Sequence, residues 1–138
     1  MLPSIRSLCV LAVSVGVTAP MLATATPVNA QPRAAISKPW LSPTGDISTG
    51  VTKPAGYYQL GVSGFGDYFT AVRICVKNRS KPSKPRICRI ATKSVKGDIY
   101  SWTSRWPRDF ARQGKGRYIV RYYDTASDPI GPVQWFDR

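Results

Sequence analysis

Between Arg73 and Arg121 the chain carries fifteen lysines and arginines, opposed only by Asp98 and Asp109. A surface this one-signed repels itself unless something neutralises it, so the composition implies an anionic partner. The cations fall into two groups along the sequence. Lys77, Arg79, Lys81, Lys84 and Arg86 lie between Cys75 and Cys88, and Arg89, Lys93 and Lys96 extend that run. Arg105, Arg108, Arg112, Lys115, Arg117 and Arg121 form the second group. The expected ligand-binding set is Lys77, Arg79, Lys81, Lys84, Arg86, Arg89, Lys93, Lys96, Arg105, Trp106, Arg108 and Arg112.

The segment from Cys75 to Cys88 reads as a hairpin tied near its base. Pro82 and Pro85 flank its middle, where proline presets the turn backbone. Of the three cysteines, Cys9 falls in the leading apolar run that export is expected to remove, and the two left in an exported chain make a disulfide the default expectation. Closing a loop of that length stabilises by about 3 kcal/mol in a chain-entropy description. Cys75 shares a strand face with Arg73 and Lys77, and Cys88 shares one with Arg86, Ile90 and Thr92. The other face of the second strand mixes Ile87 and Ala91 with Arg89. This imperfect alternation leaves the register undecided between direct pairing, a bulge and a non-neighbouring bridge. The stapled loop is a rigid cationic projection, or else a solvated hairpin whose lysines discourage edge-to-edge aggregation. Two further motifs sit in it. Asn78-Arg79-Ser80 matches the N-glycosylation pattern, and Arg79-Ser80 and Arg86-Ile87 are bonds that a trypsin-like protease would recognise.

Aromatic residues interleave with the second cationic group. Trp106, between Arg105 and Pro107, is the aromatic best placed for exposure, where an indole beside guanidinium groups stacks on a sugar ring or a base; the competing assignment places it in the core. Tyr118, Tyr122 and one of Trp102 or Trp135 are expected core residues. The chain has no histidine and its seven acids are all aspartates. That removes Ser-His-Asp and Cys-His catalysis and the commonest neutral-pH base. With both cysteines consumed in a bridge, thiolate chemistry and a zinc site are not expected. Asp124 and Asp128 lack EF-hand spacing and read as a turn. No catalytic residue, no metal, no cofactor and no enzymatic activity are expected.

The elements that position these groups follow from the texture of the chain. Residues 1–30 read as a secretory signal peptide: Arg6, an apolar run from Leu8 to Val17, then small residues to Ala30. That run is too short to span a bilayer, so no transmembrane segment is expected in the mature chain. Residues 31–56 form a Pro-rich leading segment, partly ordered, able to supply an edge strand from Trp40, Leu41, Ile47 and Val51. Residues 57–138 carry short β-type runs between turn residues. These are Tyr57–Val62, Tyr68–Lys77, Arg86–Lys93, Asp98–Thr103, Arg117–Asp124 and Ile130–Phe136. Trp106 to Gln113 is the single stretch where a helical turn fits. Six to seven strands in about a hundred residues predict an all-β fold, a small antiparallel β-sandwich, with a small β-barrel as the alternative.

Gly114-Lys115-Gly116-Arg117-Tyr118-Ile119-Val120-Arg121-Tyr122 resembles the glycine turn and Tyr-x-Val-x-Tyr strand near the end of immunoglobulin-like domains of secreted bacterial proteins. The resemblance implies an immunoglobulin-like sandwich and transfers no functional residue. The spacing of Cys75 and Cys88 departs from the disulfide that joins the two sheets in true immunoglobulin domains.

These readings predict a secreted basic module that binds anionic extracellular partners: cell-wall polymer, acidic polysaccharide, anionic lipid or nucleic acid. The alternatives are inhibition of a trypsin-like protease through the stapled loop and a structural or interaction role in the cell envelope with an acidic protein partner.

Overall fold

The computed structural model describes residues 36–138. The signal-peptide reading of 1–30, and Cys9 within it, lie outside the described residues.

Among the described residues nine strands form two antiparallel sheets. They are β1 (Trp40–Leu41), β2 (Ile47–Thr52), β3 (Tyr58–Gly64), β4 (Arg73–Asn78), β5 (Ile87–Ile90), β6 (Thr92–Lys96), β7 (Ile99–Trp106), β8 (Arg117–Tyr123) and β9 (Gln134–Asp137). The five-stranded sheet runs β1-β2-β3-β7-β6 and the four-stranded sheet β9-β8-β4-β5. The two layers make a β-sandwich and not a closed barrel. Among the described residues there is no helix, and none is long and apolar enough to cross a membrane.

Two departures raise the strand count above six or seven. Residues 36–56 of the Pro-rich segment are built into the sandwich: β2 pairs with β3 from Ile47↔Gly64 to Thr52↔Gln59, and Ile36 bridges to Phe136. The run Arg86–Lys93 is not one strand. Its backbone leaves the four-stranded sheet at Ala91, buried at the crossing, and continues as β6 in the other sheet. A continuous run of β-formers therefore conceals a change of layer. Residues 107–110, where a helical turn fits, form a hydrogen-bonded turn instead, with the Asp109 N–H donating to the Arg105 carbonyl at 2.9 Å. The run expected to end at Val62 continues two residues further, because Ser63 and Gly64 still pair with both β2 and β7.

Alternation sends one side of β2, β3, β4, β7, β8 and β9 inward, whereas β6 is exposed throughout. Leu60, Val62, Ile74, Val120 and Phe136 have no solvent exposure. The aromatic assignment holds for Tyr118, Tyr122 and Trp102, each 1% exposed, while Trp135 is half-buried on the outside. Tyr118 stacks on Phe136 at 5.1 Å, and Tyr58 stacks on the same ring at 4.3 Å. Such aromatic pairs add about 0.5–1.5 kcal/mol each beyond the area they bury. Three polar ties cross between the layers: Tyr122 Oη donates to the Gly50 carbonyl at 2.8 Å, Tyr58 Oη to the Asp137 carbonyl at 2.8 Å, and Gln134 Nε2 to Thr49 Oγ1 at 3.4 Å.

The candidate anion-binding face

Cys75 and Cys88 stand directly opposite each other on β4 and β5 and form a disulfide across thirteen positions. The bridge lies within one sheet, as the short spacing requires. Its register fixes the outward side of the four-stranded sheet. Arg73, Cys75 and Lys77 point out from β4, and Arg117, Ile119, Arg121 and Tyr123 from β8, because the intervening residues are buried in the core. Cys88 and Ile90 follow on β5, and Trp135 and Asp137 on β9.

The hairpin loop rests on this face and does not project freely. The Lys77 ammonium donates to the carbonyls of Pro82 (3.2 Å) and Lys84, folding the loop back over its own strand. The Arg79 N–H donates to the Arg117 carbonyl at 2.7 Å. Beneath it lies a buried polar knot. Asn78, with no solvent exposure, receives at Oδ1 from the Ser80 N–H, and its amide reaches the carbonyls of Gln113, Gly114 and Lys115 at 3.0–3.3 Å. Gln113 accepts from the Asn78 N–H at 3.0 Å and donates to the Pro85 carbonyl at 2.7 Å. Tyr118 Oη accepts from the Gln113 N–H and donates to the Gly114 carbonyl, so the start of β8 is clamped to the loop before it. Gly116, at φ 139°, lets Ser80 approach closely: a Cβ there would lie 2.5 Å from the Ser80 Cβ. The knot seats both ends of the cationic loop. It also buries Asn78 completely, so the glycosylation pattern is closed to a glycan in the folded chain.

Lys77, Arg79, Arg86 and Arg121 line a groove of about 340 Å³ with Cys75, Ile119 and Pro82. Guanidinium groups cover the two aromatic rings beside it. Arg73 and Arg86 lie 4.9 and 6.0 Å from the Tyr123 ring centre, and Arg117 lies 3.7 Å from that of Trp135. The single carboxylate on the face, Asp137, accepts two hydrogen bonds from Arg117 at 2.7 and 2.9 Å. That contact holds the Asp137 carboxyl below its ordinary value, against the opposing effect of burial, and raises the Arg117 guanidinium.

The structure brings together only part of the expected set. Lys77, Arg79 and Arg86 share the groove, and Arg73, Arg117 and Arg121 join them on the same face; Lys84 meets Lys77 only through its backbone carbonyl, and the Lys81 side chain lies against Gly114. Arg89, Lys93, Lys96, Arg105, Arg108 and Arg112 are elsewhere. The change of layer at Ala91 carries Lys93 and Lys96 onto β6 of the other sheet, where Lys93 pairs with Asp67 at 2.6 Å. Arg89 and Arg108 meet in a separate polar groove along the open side between the sheets. Arg108 is engaged there by Asp109, whose carboxyl is held low mainly by that guanidinium. Arg105 packs over the Tyr57 ring at 4.0 Å. Trp106 is 2% exposed, at the far end of β7 among Tyr118, Phe136 and Tyr58, with the Arg112 guanidinium 5.5 Å from its ring centre. It is therefore a core residue and offers no stacking platform: β7 continues through it, so Trp106 takes the inward position opposite Tyr58. The alternation of Arg117 and Arg121 with Tyr118, Val120 and Tyr122 was the signal that places those arginines outward.

No protein-family model, curated protein or solved structure matches this chain.

Proposed function

We propose that the chain is a secreted basic binding module that holds anionic extracellular polymers on the outer face of its four-stranded sheet. One observation carries the reading. Arg73, Lys77, Arg79, Arg86, Arg117 and Arg121 are gathered on one face, with Lys81 and Lys84 in the loop that joins its strands, and the acid beside them, Asp137, is already paired. Binding is multipoint charge contact with release of counterions. Salt therefore governs affinity. The internally braced loop favours this reading over protease inhibition, since its carbonyls are tied to Lys77 and its Arg79 backbone to β8. The clamp made by Tyr118 with Gly114 is a tyrosine-corner arrangement, which supports the resemblance to immunoglobulin-like domains of secreted bacterial proteins.

The test is a salt series on the purified domain with a polyanion such as polyphosphate. Affinity is expected to fall log-linearly with salt, and Arg73→Ala with Arg117→Ala to flatten the slope. A salt-insensitive interaction, or a slope unchanged by that pair, removes the assignment.

A further inference from the structure

The groove on this face is not built as a plain charge trap. Its lining is mixed: Lys77, Arg79, Arg86 and Arg121 are cationic, while Ile119 and the disulfide at Cys75 give an apolar floor on the sheet and the Pro82 ring an apolar edge from the loop. At about 340 Å³ it sits near the lower end of the range that holds small ligands. A partner that used only charge would gain nothing from that floor, whereas one with an apolar surface next to its anionic group would gain from both.

We propose that the groove seats the acidic sugar unit of an anionic polysaccharide, its ring face resting on Ile119 and Pro82 while Arg86 and Arg121 hold its carboxylate or sulfate. This rests on the reading in the preceding subsection and narrows its partner class. Two features of the same face turn the choice away from the other polyanions. Single-stranded nucleic acid is held by bases stacked on bare aromatic rings. Here Tyr123 is covered by Arg73 and Arg86, and Trp135 by Arg117. A lipid surface calls for apolar side chains at the rim that can enter it. On this face Ile90 is exposed, but it stands on the edge strand β5 and outside the groove lining, whereas Leu41 and Ile99 project from the other sheet and, with Phe65, line a separate groove there.

The experiment compares polygalacturonate, heparin, duplex DNA and polyphosphate at one ionic strength, with Ile119→Ser and Arg121→Ala beside the unaltered protein. Ile119→Ser removes the floor and keeps every charge. It is expected to weaken both polysaccharides about tenfold, the scale of one aliphatic contact, and to leave DNA and polyphosphate within about twofold. Arg121→Ala is expected to weaken all four. Equal effects of Ile119→Ser on all four ligands, or none on any, overturn the sugar seat while the polyanion reading stands. No binding of any ligand at low salt overturns the polyanion reading itself. Should Ile119→Ser fold poorly, the Ile119 methyl resonance of the unaltered protein decides. A shift with oligogalacturonate and none with polyphosphate supports the seat, and the reverse removes it.

Discussion

Where the four-stranded sheet turns Arg73, Lys77, Arg117 and Arg121 outward, the five-stranded sheet turns out Ser63, Ser101, Thr103 and Gly61. Both faces use the same alternation over one shared core, yet the groove of about 330 Å³ on the second is lined by Ser, Thr, Gly, Pro39 and Gln59 with no charged group, and Lys96 and Arg105 stand outside that lining. The comparison teaches that the core does not require the charge. Backbone geometry and inward side chains are alike on both sides, so the difference lies in what the outward positions do. The cationic face is also the one with extra bracing, from the disulfide and the Asn78–Gln113 knot. A concentrated like charge needs such bracing more than a neutral face does.

The strongest challenge to this division goes through the part the faces share. Trp106→Ala should lower stability by about 3–5 kcal/mol, and both faces should unfold in a single urea transition; separate transitions would mean the layers are not one unit. Next comes the bracing of the cationic side alone. Replacing Cys75 and Cys88 with alanine should lower stability by about 2–4 kcal/mol, measured as a shifted denaturant midpoint, and a protein prepared without residues 1–30, hence without Cys9, should show no thiol to a reagent. Asn78→Ala removes the centre of the knot and leaves buried carbonyls unpaired, at about 1–3 kcal/mol; hydrogen exchange should rise first at residues 79–86.

Surface substitutions then separate the two faces by function. Arg86→Ala with Arg121→Ala should make the salt dependence of duplex-DNA binding shallower by up to about two. Ser101→Ala with Thr103→Ala should leave both slope and affinity unchanged, and neither pair should move stability by more than about 0.5 kcal/mol. An equal effect from the neutral pair would erase the contrast. The smallest effect is expected in acid. Asp137 and Asp109 are held below the ordinary value of 3.8 in the fold, chiefly by Arg117 and Arg108. The folded chain thus binds fewer protons there than the unfolded one. Stability from these pairs is complete above about pH 4 and declines as pH falls through the lowered values. Asp137→Asn should blunt that decline in an acid titration followed by circular dichroism.

Much of this arrangement was legible before any coordinates. Tyr118, Val120 and Tyr122 alternate cleanly with charged neighbours, so β8 and its two faces can be read directly. Val72, Ile74 and Val76 do the same for β4. Two things were not legible. Periodicity records which side a residue faces but not which sheet it belongs to, so the run through Ala91 looked like one strand, and Lys93 and Lys96 were credited to the hairpin. Trp106 stood between Arg105 and Pro107, a local context typical of a loop, while its burial depends on Tyr58 and Phe136 from distant parts of the chain. Asn78 and Gln113 gave no sign of their partnership, since polar residues reveal burial only through the partners that satisfy them.

The ties between the two layers have a consequence at the other end of the pH scale. The disulfide joins neighbours within one sheet, so apart from the backbone itself no covalent cross-link ties the layers together among the described residues, and the Tyr122 phenol is one of the few polar groups that crosses between them. It donates its proton to the Gly50 carbonyl, and burial pushes its ionisation well above the ordinary value of 10.0. The folded chain therefore keeps this proton more tightly than the unfolded one. The stability it confers is whole below about pH 10 and drains away in stronger base. Alkali should pry the sandwich open along the seam between its layers, with the phenolate absorbance of Tyr122 rising only as the fold is lost.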